Sequence, residues 1–300
     1  MSRPFTAYGY LALAMVLAGS TVVAGKIIAV ALPPFTASAL RFAIATPVLV
    51  LLMRLCAMPW PKPDRRDTLL LLAQAGAGSV GYTVLLLYGL GHTSATDAGI
   101  MAGTLPAVAT LMAIILFGER PGKRQILLIA LSALGAMALN GSGTRAWRFA
   151  PSHLAGNGLI LLAVICECLF IQLNKRLTRP VPPLTLATLM CLTGFLLTLG
   201  PGMAQWQHAA TPSVTALRAA LWAVLYYALG PTVAGFYLWY AGSERVDASR
   251  AAPFTALLPI AALACAALWL REAVSPAQGI ASAAIVAAIA LNGMATRHTR

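Results

Sequence analysis

Acidic side chains are scarce here: eight Asp and Glu stand against 21 Lys and Arg in 300 residues, and charged residues of both signs make up only 10%. A soluble globular domain carries about 25% charge, so that class is excluded. Catalytic signatures are missing as well. There is no HExxH and no GxSxG, and the four histidines (His92, His153, His208, His298) fall in connections or the tail rather than beside a nucleophile. The five cysteines sit inside or at the ends of apolar runs. Cys166 and Cys168, the one tight pair, are spaced too closely for a usual metal site and have no second pair. No metal, no cofactor and no enzymatic activity are expected. No basic run is interleaved with aromatics, so the net charge of +13 does not indicate nucleic acid.

What the chain has is apolar length. Hydrophobic residues make up 59% of it, in many runs of the roughly 20 residues a bilayer-crossing helix needs. A transmembrane barrel would show alternating segments of about 10 residues instead. Apolar runs and their Pro, Gly and charge punctuation predict ten spans, at about 8–32, 35–56, 68–91, 94–117, 124–143, 155–177, 183–203, 217–241, 248–270 and 277–295. The first continues to about Leu32, which suits an uncleaved span better than a signal peptide.

The chain also repeats itself. The stretch from Ala95 to Gln125 returns as Ala248 to Gln278 at a constant offset of 153, which pairs Pro106 with Pro259 and Glu119 with Glu272. Earlier positions match at offset 149: Gly9 with Gly158, Lys26 with Lys175, Thr36 with Thr185. Five spans per copy force the second copy to enter the membrane from the opposite side, giving inverted repeats. The expected fold is an all-α polytopic membrane protein of ten transmembrane helices. Residues 1–146 (spans 1–5) form one five-helix repeat and residues 147–300 (spans 6–10) the other, packed as one transport unit. With the N-terminus cytoplasmic, fourteen Lys and Arg fall on that side and four on the other, so both termini are expected inside.

Depth arithmetic then locates polar and helix-weakening residues. At 1.5 Å per residue the midplane lies about 10 residues from a span end. That point falls at Ser20 and Thr21 in span 1, Ser79 to Tyr82 in span 3, Thr104 to Pro106 in span 4, Glu167 in span 6, Pro231 in span 8 and Pro259 in span 9. Irregular backbone at that depth is tolerated where protein covers it or water fills a cavity. Abundant Pro and Gly in membrane helices is the plainer alternative. Glu167 is the one acid in mid-span, where it serves a ligand ammonium or a proton, or else makes a structural ion pair or snorkels. Lys26 and Arg41 anchor helices or pair with acids, or steer a carboxylate. Asp97 and Asp247 open spans 4 and 9, and Glu119 and Glu272 close them, as structural end residues. Gly76, Gly78 and Gly81 spell GxGxxG inside an apolar span, where they serve close packing or make room for a ligand rather than bind a dinucleotide. Of the aromatics in spans 3 and 8, those near span ends, Trp239 and Tyr240 included, read as interfacial belt residues. Tyr82, Tyr226 and Tyr227 lie deeper, as a wall for a flat or cationic solute.

Ten spans in two halves of five, each with a mid-span proline followed thirteen residues later by the glutamate of FGERPGKRQ or WLREAVSPAQ, resemble the drug/metabolite transporter superfamily in its ten-span EamA-type branch. Within that branch the chain looks most like the YddG-type exporters of aromatic and other amino acids. The resemblance implies a cavity built from spans 1, 3, 4, 6, 8 and 9 and alternating access by the two halves. The arginine matching Arg41 is absent from the second half, where Met190 stands, so a charged site is not duplicated.

The expected function is export of small organic solutes, amino acids first and aromatic ones especially. Alternatives are an efflux or uptake carrier for other metabolites or cationic drugs, and a channel-like facilitator. Candidate substrate-binding residues are Ser20, Thr21, Gly78, Ser79, Tyr82, Met101, Thr104, Glu167, Tyr226, Tyr227 and Pro231. The expected partners are a small-molecule solute and the lipid bilayer, with no nucleic acid and a monomer sufficient, in a cell membrane of the bacterial inner-membrane type.

Overall fold

The computed structural model describes residues 4–61, 63–102, 151–174, 176–178, 181–246, 254–255 and 257–271, with scattered positions between 104 and 115 and at 276 and 280. Expected span 5, expected span 10 apart from position 280, residues 144–150 between the repeats, Pro106, Glu119, Asp247 and Glu272 lie outside the described residues. Among those described there are helices and no strands. The helices are α1 (Pro4–Ala29), α2 (Pro34–Leu55), α3 (Arg65–His92), α4 (Ala95–Ala102), α5 (Pro151–Asn174), α6 (Pro183–Gln207), α7 (Val214–Ser243) and α8 (Leu257–Trp269). Six of them, α1, α2, α3, α5, α6 and α7, are long and apolar enough to cross a membrane. They coincide with spans 1, 2, 3, 6, 7 and 8 to within a few residues.

Local chemistry explains where these helices start. Pro34 and Pro183 occupy the first turns of α2 and α6, where a missing N–H costs nothing. The Asp64 carboxylate accepts from the Asp67 N–H at the head of α3, and the Ser213 hydroxyl from the Ala216 N–H at the head of α7. Pro259 lies in the first turn of α8 as described.

Two of the spans are interrupted. α3 carries a π-helical segment at Ala75–Gly81 and α7 one at Ala228–Gly235. Proline explains the second. Pro231 has no N–H to offer Tyr227 O, and the Thr232 hydroxyl donates to that carbonyl instead, at 2.8 Å. In the first, glycine at 76, 78 and 81 lowers the cost of widening the helix, and the Tyr82 N–H reaches back five residues to Ala77 O.

Close pairs assemble the bundle: α2 against α6, α1 against α8, and α3 against α5. Glycine sets each seam. A Cβ on Gly202 would come within 2.9 Å of Phe35 O, and one on Gly89 within 2.5 Å of Ile160 Cδ1. Hydrogen bonds fasten the helix ends. Thr36 Oγ1 donates to Gly202 O at 2.7 Å, and the Phe35 N–H to Gln205 Oε1 at 2.9 Å. At the far end of α3, Lys26 Nζ donates to Leu90 O (2.8 Å) and Thr93 O (2.5 Å), while Thr93 bonds Asn157 of α5. Near the head of α3, Asp67 accepts from the N–H and hydroxyl of Thr178, just past α5.

Lys26 therefore anchors a helix. It places a cation on the C-terminal carbonyls of α3, where the macrodipole favours it. Lys26→Met leaves two carbonyls without their charged donor, and stability falls by about 1.5–3 kcal/mol. The expected result is a clear drop in unfolding temperature in detergent; an unchanged transition would show that the lysine does not hold α3.

Candidate functional site

The helices enclose a cavity of about 60 Å³ between α1, α2, α3, α5 and α7. From α1, residues Ala14, Met15, Ala18 and Thr21 present one stripe at helical spacing. α3 supplies Gly78, Tyr82 and Thr83, and α5 supplies Glu167 and Phe170. α7 gives Tyr227, Pro231, Thr232, Gly235, Phe236 and Trp239, so both π-helical segments border the space. π-Bulges recur at functional sites because they turn side chains and backbone toward a ligand that a regular helix would not meet.

Arg41 of α2 also lines the cavity. It is only 4% exposed, with its guanidinium 4.1 Å from the centre of the Phe42 ring and 4.7 Å from that of Tyr227. One amino group donates to Ser79 O at 2.9 Å, and that carbonyl also accepts from the Thr83 hydroxyl. The buried Nε has no hydrogen-bond partner. No described carboxylate pairs with it. Glu167 sits half-buried on the cavity wall, and no described residue hydrogen-bonds or ion-pairs with its carboxylate. An apolar part of the wall has Phe170 stacked on Phe236 at 5.8 Å between ring centres and Tyr240 tilted beside both.

Six of the candidate residues come together here: Thr21, Gly78, Tyr82, Glu167, Tyr227 and Pro231. The other five do not line the cavity. Ser20 turns away to bond Tyr226 Oη at 2.7 Å, and Tyr226 is 45% exposed. Ser79 faces the protein with its hydroxyl unpartnered, and contributes its carbonyl to Arg41. Met101 packs among apolar residues of α1, α3 and α8, and the Thr104 hydroxyl bonds Met101 O. Depth arithmetic also reaches Thr232, next to Pro231, which lines the cavity, but it missed Met15, Ala18, Phe170, Phe236 and Trp239. Helical spacing from Thr21, Glu167 and Pro231 would have found several of them, for example Ala18 at i−3 and Phe170 at i+3.

Two sequence expectations are corrected. Trp239 and Tyr240 are not belt residues: they are 8% and 3% exposed, because Trp239 faces the cavity and Tyr240 packs against Phe170 and Phe236. Arg41 joins the cavity from span 2, whereas spans 4 and 9 contribute none of the described lining.

The profile of the EamA-like transporter family matches residues 5–141 and again residues 154–294. The uncharacterized transporter YetK of Bacillus subtilis is 35% identical over 273 residues, which covers 91% of this chain and 82% of YetK. A probable terminal-alkyne amino-acid exporter of Streptantibioticus cattleyicolor is 27% identical, over 77% of this chain and 74% of its own. A probable amino-acid metabolite efflux pump of Salmonella typhimurium is 25% identical, over 61% and 62%. One solved crystal structure overlays 99% of each chain with a TM-score of 0.71 at 23% identity, a likeness of fold alone. Membrane-length helices around a mid-span cavity, together with family matches to both halves, lead to one conclusion: this chain is a multi-pass membrane protein that belongs to the EamA-like transporter family.

Proposed function

We propose that this transporter exports amino acids, aromatic ones especially, through the cavity between α1, α2, α3, α5 and α7, by alternating access of two inverted five-helix repeats. The observation that carries the reading is the cavity itself. At the depth where a bilayer offers no water, two widened helices, a buried arginine and a glutamate that no described residue pairs face one space. Such groups are too costly to retain there without a solute to meet. Two relatives bear names of amino-acid export and amino-acid-metabolite efflux, which supports the solute class.

The two-repeat reading draws support from several places. Ala75 and Ala228 open the two π-helical segments, and they are separated by 153, the offset of the sequence repeat. The family profile matches twice. Helix ends that a ten-crossing chain would bring to one side do meet: Lys26 with Thr93, Thr93 with Asn157, Asp67 with Thr178, and Thr36 with Gly202. On this reading residues 1–146 and 147–300 are the repeats, the termini face the cytoplasm of a bacterial inner membrane, and one protomer suffices.

At about 60 Å³ the space holds a few waters at roughly 10–15 Å³ each, so an aromatic solute requires the helices around it to part. The test has two arms. Expressing cells are challenged with toxic amino-acid analogues and with cationic dyes, and resistance to the analogues is the expected result. Proteoliposomes preloaded with amino acid then show efflux that saturates and is accelerated by amino acid on the far side. Flux without that acceleration identifies a channel-like facilitator; resistance to dyes alone overturns the amino-acid reading.

A further inference from the structure

We infer that Arg41 and Glu167 form a two-point reader of the amino-acid zwitterion, Arg41 taking the carboxylate and Glu167 the ammonium, so that solutes with only one of these charges are rejected. The inference rests on the amino-acid reading above and adds which side chain reads which group.

Among the described residues, Arg41 is a fixed cation lacking an anion. Its guanidinium is held in place by Phe42, by Tyr227 and by the bond to Ser79 O, yet its buried Nε has no partner. No described carboxylate pairs with it. Glu167 borders the same space and is not within ion-pair distance of it, so the two charges have not cancelled each other. Tyr82 lies within electrostatic reach of both and lines the wall with them. A buried charge left unpaired is strongly destabilising, whereas two charges met by opposite groups of one ligand are both compensated.

That asymmetry dictates the ligand. A carboxylic acid satisfies Arg41 and leaves Glu167 alone; an amine or a cationic drug does the reverse. An α-amino acid carries both charges on one carbon and is neutral overall, so it fills the site without moving net charge into the bilayer. The planar guanidinium suits a carboxylate, to which it can present parallel donors. Beyond the charged pair, Phe170, Phe236 and Trp239 offer an apolar surface to a side chain. Met190, at the position in the second repeat equivalent to Arg41, is fully buried, so nothing duplicates the cation.

The experiment uses the full chain in proteoliposomes with L-phenylalanine, phenethylamine, which lacks the carboxylate, and 3-phenylpropionate, which lacks the ammonium. Wild type is expected to carry L-phenylalanine at least about tenfold better than either analogue, since a site built for a polar group rejects the compound lacking it. Arg41→Gln narrows the gap to phenethylamine by about tenfold and leaves 3-phenylpropionate excluded. Glu167→Gln narrows the gap to 3-phenylpropionate alone. Wild-type carriage of phenethylamine or 3-phenylpropionate as fast as L-phenylalanine overturns the two-point reader, as does a shift of both analogues by one factor in either variant. The wild-type arm stands even if Arg41→Gln does not fold, and Arg41→Lys then tests whether charge without the fork keeps the selection. Failure of wild type to carry L-phenylalanine or any other amino acid of a panel overturns the amino-acid reading itself, and this inference with it.

Discussion

In proteoliposomes, Gly78→Ala lowers amino-acid efflux by at least about tenfold, and Phe170→Ala in the same chain restores a large part of it. A methyl group at position 78 would overlap Cβ, Cγ and Cδ2 of Phe170, the stem of the ring and not its free end. The ring cannot rotate out of the way, so it moves as a whole. Its room for movement is the cavity, which is only about 60 Å³. Overpacking of this kind costs about 1–3 kcal/mol, and each 1.4 kcal/mol set against solute entry is a factor of ten. Phe170→Ala removes the obstructing atoms. The pair therefore couples, with the double variant better than Gly78→Ala alone. Gly76, two residues earlier in the same π-helical segment, has nothing within 4 Å of the point where a Cβ would stand, so Gly76→Ala separates the steric effect from any general loss of glycine. Unchanged efflux in Gly78→Ala would show that this cavity does not lie on the solute path.

Depth was legible in the sequence and rotation was not. Thr21, Gly78, Tyr82, Glu167, Tyr227 and Pro231 fall at one level when residues are counted from span ends, and all six line one cavity. Counting carries no angle, however, and successive residues of a helix point about 100° apart at 3.6 residues per turn. Ser20 and Tyr226 sit one residue from Thr21 and Tyr227, and they bond each other away from the cavity. Pro231 announces a weak point in α7 because a missing N–H always frees a carbonyl, but not that Thr232 would cap Tyr227 O or that Trp239 would face the cavity. Arg41 is ambiguous in the sequence for a further reason. Whether a buried cation is an anchor or a ligand group depends on its partners, and those come from α3 and α7, far away in sequence.

Gly19→Val is expected to yield no folded protein, whereas Gly9→Val on the same helix is tolerated. A Cβ on Gly19 would lie 2.5 Å from Leu258 O, 2.6 Å from Ala261 Cβ and 2.8 Å from Ala262 N. Two of these are backbone atoms of α8, which move only if the helix moves, so the seam between α1 and α8 must open along its length. The cost lies at or beyond the top of the roughly 1–3 kcal/mol of ordinary overpacking. Gly9 has nothing within 4 Å of the same position, so its valine meets open space, and replacing glycine even gains some tenths of a kcal/mol of helix propensity. Size-exclusion profiles in detergent decide the matter: a single sharp peak for Gly9→Val against aggregate or loss for Gly19→Val, while equal peaks would mean that α1 does not meet α8 as described. The consequence reaches the cavity, since α1 presents Ala18 and Thr21 to it from positions beside Gly19. Close contact with α8 on one face thus fixes where the stripe on the next face stands, and a glycine with no side chain of its own positions part of the cavity wall.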